Sequence, residues 1–256
     1  MARVRLSCCI IAFNEADRIA RCIEAVRAIA DDIVVVDSGS TDQTVEIARS
    51  LGARVWYRAW DGYGPQKRFA EECAAYDWIL NLDCDEVVTE PLAHEIATLL
   101  SVGQPPLPAY RVKMPTVFPG ATKPRLWAEG HNYVRLYDRR KVRFRDSLVH
   151  DTVDTQHHQV GQLENIALHY SNRSIEHVRQ KLDRYTQLQA KELRKSPLMV
   201  MLRLPFEYPL VFFRYYILRR NFTGGSFGFQ SSHIAAEMRV KRLLRILRAQ
   251  REGQAA

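Results

Sequence analysis

The sequence has no Cys-x-x-Cys pair, no repeat, no low-complexity tract and no uninterrupted apolar run long enough to cross a bilayer. Its five cysteines fall inside predicted strands and helices, which argues against a zinc site or a disulfide framework and indicates a reducing compartment. Three charged residues and two prolines interrupt the apolar segment 199–218, so we expect no membrane-spanning helix there. No signal peptide is expected, because the first five residues lead directly into a strand, and we expect a cytosolic protein.

The composition is that of a globular protein with a sizeable core. The chain has 256 residues, of which 46% are hydrophobic and 26% charged, and this fits one large domain or one domain with an extension. The net charge of +8 is unevenly placed. From position 203 onward only Glu207, Glu237 and Glu252 oppose many arginines and lysines. This asymmetry predicts an anionic partner, either nucleic acid or phospholipid.

The first sixty residues alternate between strand and helix patterns. Buried strands are predicted at 6–13, 33–36 and 53–57, and amphipathic helices at 19–29 and 42–51. Ser40 and Gln43 fit a capping box for the second helix, and Gly52 fits its C-terminal end. Short connections in a β-α-β-α-β order predict right-handed crossovers and a parallel sheet.

The stretch 78–86, Trp-Ile-Leu-Asn-Leu-Asp-Cys-Asp-Glu, is an apolar run that ends in carboxylates. Such a run predicts a strand buried on both faces, and ligands of open α/β sheets bind just beyond the carboxyl ends of these strands. Asp83 and Asp85 are two residues apart, so both can reach one ion from the same side of an extended backbone. Hard carboxylate oxygens suit Mg²⁺ or Mn²⁺.

A helix predicted at 65–76 carries a basic start. Pro65 is favoured in the first turn, which places Gln66, Lys67 and Arg68 beside free N–H groups at the positive end of the helix dipole. This arrangement suits a diphosphate. Another helix is predicted near 91–100, and the proline-rich stretch 104–108 is the best internal boundary.

The second half of the chain has strand patterns first and helix patterns after them. The strand patterns lie at residues 110–114, 133–137 and 166–169. The irregular loop 118–131 between the first two is expected to be functional. A charged helix is predicted at 174–195, followed by an apolar but interrupted segment. We expect residues 1–104 and residues 105–172 to form the two halves of one domain. Residues 173–256 would form a helical, amphipathic extension.

Four stretches in order give the chain its resemblance to a known family. They are 10–15 (Ile-Ile-Ala-Phe-Asn-Glu), 34–42 (Val-Val-Val-Asp-Ser-Gly-Ser-Thr-Asp), 66–68 (Gln-Lys-Arg) and 80–86 (Leu-Asn-Leu-Asp-Cys-Asp-Glu). With them the chain resembles the family 2 glycosyltransferases, whose GT-A fold is a Rossmann-like, mostly parallel sheet with flanking helices. Softer matches at 135–137, 149–151, 168–171 and 222–228 make it most similar to bacterial enzymes that add glucose to the heptose of the lipopolysaccharide inner core.

The resemblance implies that residues 1–104 are the nucleotide-sugar-binding half of the domain and residues 105–172 its acceptor-binding half, and it implies a role for each matching residue. Phe13, Asn14, Glu15, Asp37 and Ser38 would hold the nucleotide, where a carboxylate can accept from uracil N3–H or ribose hydroxyls. Further nucleotide contacts would come from Gln66, Lys67, Arg68 and Asp83. Asp83 and Asp85 would bring Mg²⁺ or Mn²⁺ to the diphosphate that leaves as UDP.

An inverting transfer also needs a base on the acceptor hydroxyl. The Glu-Asp pair that supplies this base in many family members is missing after the proline-rich stretch. Asp151 is the candidate, and His150 is the alternative base, metal ligand or phosphate contact. Adjacent strand residues face opposite ways, so at most one of the two acts as the base.

The predicted function is therefore metal-dependent, inverting transfer of a hexose, glucose by resemblance, from a UDP-sugar to a lipid-anchored lipopolysaccharide core glycan. A polyprenyl-phosphate glycosyltransferase is the alternative within the family. A non-catalytic, basic nucleic-acid-binding module is the alternative from another class, but no RRM, OB or helix-turn-helix signature is present, and we expect no nucleic-acid partner. A sugar-nucleotide pyrophosphorylase is excluded because residues 14–17 contain no glycine for a phosphate loop.

The C-terminal third is expected to dock on the cytoplasmic face of the inner membrane. Residues 199–213 supply apolar and aromatic side chains, and Arg214, Arg219 and Arg220 follow at once. A later helix combines basic residues (Lys241, Arg242, Arg245, Arg248) with apolar ones (Leu243, Leu244, Ile246, Leu247). Apolar faces flanked by arginine are typical of interfacial helices on anionic lipid.

Overall fold

The computed structural model describes residues 3–147, 152–192 and 196–252. Its main sheet has eight strands in the spatial order β3-β2-β1-β4-β7-β6-β10-β5. The strands are β1 Leu6–Ala12, β2 Asp32–Asp37, β3 Arg54–Tyr57, β4 Trp78–Asp83, β5 Glu86–Val88, β6 Ala109–Pro115, β7 Gly130–Asp138 and β10 Val160–His169. A two-stranded ribbon pairs β8 Arg143–Phe144 with β9 Val153–Asp154.

The first four spatial neighbours of the sheet are parallel. β1 pairs with β2 and with β4, and β2 pairs with β3, all in parallel register. β7 runs antiparallel to both β4 and β6, β10 returns parallel to β6, and β5 closes the far edge antiparallel to β10. The continuous apolar runs of β1, β2 and β4 fit this placement, since strands covered on both faces cannot alternate with polar residues.

Helices cover both faces of the parallel part. They are α1 Ile19–Val26, α2 Thr44–Ser50, α3 Tyr63–Cys73 and α4 Glu90–Ser101. Alternate side chains of one strand enter different apolar clusters: Cys8 and Ile10 pack with α1 and α4, whereas Cys9 packs with α3. Each fully buried Ile or Leu contributes about 1.5–3 kcal/mol relative to an exposed position.

The chain divides into two compact units. Met1–Thr116 with Gly130–His169 forms the first, which holds the sheet, and Val117–Glu129 with Tyr170–Ala256 forms the second. The second unit contains α5 Ile175–Glu192, α6 Pro197–Phe213 and α7 Gly225–Glu252. Within it, Arg125 donates to the carbonyl oxygens of Arg219 and Arg220 at 2.9 Å each, so the loop 117–129 is held by the helical unit.

Two local expectations are wrong. α3 begins at Tyr63, after Gly62 at φ +121°, so residues 66–68 lie beyond the first three helical positions. Pro65 tolerates this position because the N–H that it lacks has no acceptor within the first turn. The capping box is also absent: Gln43 precedes α2 without a side-chain cap, and the hydroxyl of Ser40 bonds Asp37.

The apolar segment after Pro197 is helical although charged residues and prolines interrupt its apolar run. α6 continues through Pro205 and Pro209 to Phe213, and a π-helical turn follows over Arg214–Leu218. In the part of the chain that the structure describes, no helix is long and apolar enough to cross a membrane. The predicted fold class is confirmed: a mostly parallel sheet with flanking helices, as in the GT-A fold, plus a helical C-terminal region.

Candidate active site

Three parallel strands end at one edge of the sheet and bring the predicted residues together there. In the register of β1 with its neighbours, Ala12 lies beside Asp37 of β2, and Ile11 lies beside Asp83 of β4. The next residues, Phe13 to Glu15 after β1 and Ser38 after β2, therefore begin loops at the same edge. This is the edge at which open α/β sheets bind ligands.

The loop after β2, residues 37–42, is folded around the carboxylate of Asp37. Asp37 Oδ2 accepts from the amides of Gly39 at 2.8 Å and Ser40 at 2.9 Å, and Oδ1 accepts from the hydroxyl of Ser40 at 2.5 Å. Gly39 has φ +98°, which favours glycine. Asp37 is buried, so its first effect is to fix the shape of this loop.

The loop after β1 is tied to the loop 37–42. The amide of Asn14 donates to Ser40 Oγ at 2.8 Å, and Asn14 Oδ1 accepts from the amide of Thr41 at 2.8 Å. Asn14 has φ +55°, a conformation that asparagine adopts more readily than most residues. Beside it, Phe13 is 55% exposed, an aromatic face open to a ligand.

Arg18 connects the β1 loop with the carboxylates after β4. Its Nη2 lies 2.5 Å from Glu15 Oε2, and its Nη1 lies 3.4 Å from Asp85 Oδ2. Asp85 also lies 3.5 Å, through Oδ2, from His169 Nε2 at the end of β10. Glu15, Arg18, Asp85 and His169 therefore form one chain of charged groups along the edge.

The pKa values of Asp85 and His169 move apart. Burial alone would raise the pKa of Asp85, but the hydrogen bond and charge of His169 and the charge of Arg18 lower it below its ordinary value. Burial would lower the pKa of His169, and the hydrogen bond and charge of Asp85 reverse this, so its pKa is raised. The pair thus favours its charged form.

Asp83 belongs to a buried tetrad, defined as Lys67, Asp83, Glu86 and Arg135. Its Oδ1 lies 2.9 Å from Lys67 Nζ and its Oδ2 lies 3.1 Å from Arg135 Nη2. Burial opposes ionisation, yet the charges of Lys67 and Arg135 hold the pKa of Asp83 well below its usual range. Two cations and two carboxylates compensate one another in this group.

The basic and polar side chains at 66–68 have partners within the protein. Lys67 is fully buried, and its Nζ lies 2.9 Å from Asp83 Oδ1. The amide of Gly64, in the first turn of α3, donates to the carbonyl of Ser147 at 3.0 Å, so this N–H is not open to an anion. Gln66 Nε2 donates to Ser38 Oγ at 2.9 Å, and Arg68 Nη1 donates to the carbonyl of Phe144 at 2.8 Å.

The donor set at the edge fits a divalent ion only in part. Among residues 3–147, 152–192 and 196–252, no three His, Cys, Asp or Glu side chains are grouped to hold a metal. Both oxygens of Asp83 face cations, which makes it a poor direct ligand. Asp85 and His169 supply one carboxylate and one imidazole, so these two would hold an ion whose other ligands come from a substrate or water.

Several residues of the site were missed by the sequence reasoning. Arg18, Arg135 and His169 each contact a predicted carboxylate, and Glu86 pairs with Arg135 and accepts from the amide of Asp83 at 3.1 Å. Arg135 and His169 lie in stretches 135–137 and 168–171, which are among the less specific matches to the family. These matches are the sequence signal that could have identified the two residues. The two predicted catalytic residues, His150 and Asp151, lie outside the described residues.

Comparisons with known proteins show the family of the chain. The sequence profile described as Glycosyl transferase family 2 matches residues 7–155. A Rickettsia prowazekii protein named uncharacterized glycosyltransferase RP128 is 37% identical over 252 residues, covering 94% of this chain and 86% of the relative. The lipopolysaccharide core biosynthesis glycosyltransferase LpsC of Rhizobium meliloti is 33% identical over 146 residues, covering 55% of this chain and 50% of LpsC.

A solved structure is also similar to part of the chain. Glucosyl-3-phosphoglycerate synthase of Mycobacterium tuberculosis, in complex with Mn²⁺, UDP and glucosyl-3-phosphoglycerate, is 24% identical with a TM-score of 0.36. The match covers 46% of this chain and 45% of that chain, so this chain spans less than half of its length. On the family profile, which spans more than half of the sequence, and on the rickettsial relative, the chain belongs to glycosyl transferase family 2 and is a glycosyltransferase.

Proposed function

We propose that the enzyme transfers a hexose, glucose by resemblance, with inversion from a UDP-sugar to a lipopolysaccharide core glycan. The observation that carries this proposal is the convergence of the loops after β1 and β2 with the carboxylates after β4 at one sheet edge. Direct contacts join them: Asn14 to Ser40, and Glu15 through Arg18 to Asp85. A nucleoside diphosphate needs such a junction, because its base, ribose and phosphates extend over several strand ends.

The loops after β1 and β2 would hold the nucleoside. Phe13 offers an exposed ring for stacking, and Asn14 and Glu15 offer polar groups beside it. Asp37 would orient the loop amides and can still accept a hydrogen bond from the uracil ring, since each carboxylate oxygen has two lone pairs. Ser38, fixed by Gln66, lies on the same loop.

Asp85 and His169 would hold a divalent Mg²⁺ or Mn²⁺ ion. When bound, the ion would neutralise charge on the leaving diphosphate as a Lewis acid. Asp83 would not ligate the ion directly. Lys67 and Arg135 keep it ionised, so it would serve as a fixed negative charge that can accept hydrogen bonds from the ribose. Arg18 would orient Asp85 and Glu15 from its position between them.

The acceptor side rests on Asp151 as base, with His150 as the alternative. Inversion places the acceptor hydroxyl opposite the leaving group, so the base must reach the sugar from the far side of the diphosphate. The similarity to LpsC supports a lipopolysaccharide core acceptor, although it covers 55% of this chain. An acceptor of this kind is anchored to lipid, which would place the enzyme at the cytoplasmic face of the inner membrane.

A donor and acceptor screen tests the proposal. Purified enzyme is incubated with UDP-hexoses and a heptose-containing core glycolipid, with and without Mn²⁺, and products are read by mass spectrometry. We expect one UDP-hexose to add a single hexose to the acceptor with inversion at the anomeric centre. We expect no addition when EDTA is present. Transfer from a sugar donor with another nucleotide but from no UDP-hexose would contradict the proposal, as would undiminished transfer in EDTA. Oligonucleotide binding in place of UDP binding would favour the nucleic-acid alternative.

A further inference from the structure

The helix α6 buries its one acidic residue, Glu207. Val200, Glu207 and Val211 form its buried side. Buried Glu207 lies 2.5 Å from Arg203 Nε through Oε2 and 3.2 Å from Arg239 Nε of α7 through Oε1. Ion pairing therefore compensates the one acidic residue of this helix within its own unit.

The opposite side of α6 is apolar throughout and open. We call it the outward face of α6; it consists of Leu198, Met199, Met201, Leu202, Pro205, Phe206, Pro209, Leu210 and Phe213. Leu202, Phe206 and Leu210 are spaced four residues apart and are 66%, 62% and 61% exposed. Surface helices of water-soluble proteins normally place such residues inward. A contiguous apolar face of this size marks an interaction site.

Basic and aromatic side chains adjoin the outward face at its C-terminal end. Arg214 and Arg220 are exposed there. The guanidinium of Arg219 lies 4.5 Å from the ring centre of Tyr215, and that of Arg220 lies 4.8 Å from the ring of Trp127. Aromatic rings beside arginines are typical of segments at the level of lipid headgroups.

The net charge of the second unit favours one kind of partner for the outward face of α6. The second unit carries 19 Lys and Arg against 7 Asp and Glu, a net charge of +12. Two copies meeting through this face would bring these charges together, whereas an anionic bilayer would attract them. Pro205 and Pro209 also leave the carbonyls of Met201 and Pro205 without a helical donor. Water in the headgroup region can satisfy these groups, but a dry protein interface offers none.

We infer that the outward face of α6 is the surface by which the enzyme docks on anionic phospholipid, lying in the plane of the headgroups. The sequence also predicted a membrane role for the later helix, and this stays a prediction. In α7, Leu243 and Ile246 are buried, Leu244 is exposed, and Arg245 lies 2.8 Å from Asp183. The inference deepens the proposed function. It rests on that function in one respect, since a lipid-anchored acceptor gives the enzyme a reason to bind the membrane.

Vesicle co-sedimentation of the full chain tests this surface. The probes are vesicles of phosphatidylcholine alone and of phosphatidylcholine with one-third phosphatidylglycerol. Three variants are compared: the triple variant Leu202→Ser/Phe206→Ser/Leu210→Ser, the charge variant Arg214→Gln/Arg220→Gln, and Val102→Ser as matched control. Val102 is 69% exposed in the first unit, so its substitution removes an apolar side chain from a surface outside α6.

The native chain and Val102→Ser are expected to bind the anionic vesicles, less so as salt is raised. The triple variant should lose roughly 1,000-fold or more in partitioning, because each of the three apolar side chains withdrawn from lipid costs about tenfold or more. The charge variant should lose a smaller factor and its salt dependence. Native circular dichroism and UDP binding of the triple variant would show that its fold and donor site are intact.

Failure of the native chain to bind anionic vesicles at low salt would overturn the inference, as would equal binding by the triple variant. A native dimer that the triple variant converts to a monomer, without vesicle binding by either, would assign the face to a second copy. The proposed function fails separately: vesicle binding without UDP binding leaves the docking surface standing and removes the donor assignment.

Discussion

Arg135 Nη2 lies 2.5 Å from Glu86 Oε1, and both side chains are buried. Burial raises the pKa of Glu86 despite the charge of Arg135, with the nearby charge of Asp83 acting in the same direction. The same guanidinium reaches Asp83, so one arginine joins the strand-end carboxylate to the short strand β5. Removing one member of such a buried pair leaves the other charge uncompensated.

Arg135→Leu is expected to lower the free energy of unfolding by about 3–5 kcal/mol, the usual cost of breaking a buried ion pair. Urea denaturation at pH 7 measures it. The double variant Arg135→Leu/Glu86→Leu is the control, because it removes both charges and should regain part of the loss. A double variant no more stable than Arg135→Leu would show that the pair itself is not responsible.

A close backbone approach at Gly64 gives a second prediction. A Cβ at this position would lie 2.2 Å from the carbonyl oxygen of Arg145 and 2.6 Å from the amide of Ser147. Backbone atoms cannot move aside as a flexible side chain can, so Gly64→Ala should cost about 1–3 kcal/mol of stability. Thermal unfolding followed by circular dichroism measures the change. An unchanged midpoint would mean that residues 145–147 do not pack on α3.

Asp32 gives a pH-dependent prediction. Burial opposes its ionisation, but hydrogen bonds from Arg54, the amide of Ala75 and the hydroxyl of Ser7 lower the pKa of Asp32 below its ordinary value. A depressed folded-state pKa stabilises the protein above the unfolded value of about 3.9, and this stabilisation is lost as the pH falls through the folded value.

Asp32→Asn should therefore cost about 1.5–3 kcal/mol at pH 7, the usual contribution of hydrogen bonds to a charged group. The difference from the native chain should shrink as the pH falls below about 4, since the unfolded carboxyl then binds a proton that the folded carboxyl, with its lower pKa, does not. Urea denaturation at several pH values measures this difference. A difference that stays constant down to pH 3.5 would rule out the ionised carboxylate as its source.

The parallel half of the fold could be predicted from the sequence, because strands that are buried on both faces, such as β1, β2 and β4, have a continuous apolar pattern. The sequence was sufficient for α4 as well, where Thr89 accepts from the amide of Leu92 ahead of a regular apolar face. The helix start at Tyr63 was missed because Gly62 sets it through its backbone conformation, while Pro65 is acceptable at either position.

Pairing between distant residues accounts for the rest. Ser40 has the right spacing for a cap, but Asp37 and Asn14 compete for its hydroxyl. Lys67 resembles a phosphate contact in sequence and becomes a buried partner of Asp83 only through the packing of α3 on the sheet. His169 reaches Asp85 because β10 returns parallel to β6, a topology that no local pattern encodes.

The catalytic base remains a prediction from sequence. Asp151→Asn should reduce turnover by roughly 10²–10⁴-fold with little change in UDP affinity, the usual size of a general-base contribution. Steady-state kinetics with the identified acceptor, together with UDP titration, separates the two effects. An equal loss of UDP affinity would move Asp151 to the donor site, and a greater loss of turnover in His150→Ala would assign the base to His150.

The central claim is that the edge formed by β1, β2 and β4 binds UDP together with a divalent ion held by Asp85 and His169. Isothermal titration of UDP, with and without Mn²⁺, tests it most directly in the native chain and in Asp85→Ala. The native chain should bind UDP much more tightly with Mn²⁺. Asp85→Ala should fold normally and lose this enhancement, by more than the roughly 10–100-fold that an outer-shell partner typically costs. Equal UDP binding with and without Mn²⁺ in the native chain, or an undiminished enhancement in folded Asp85→Ala, would contradict the claim.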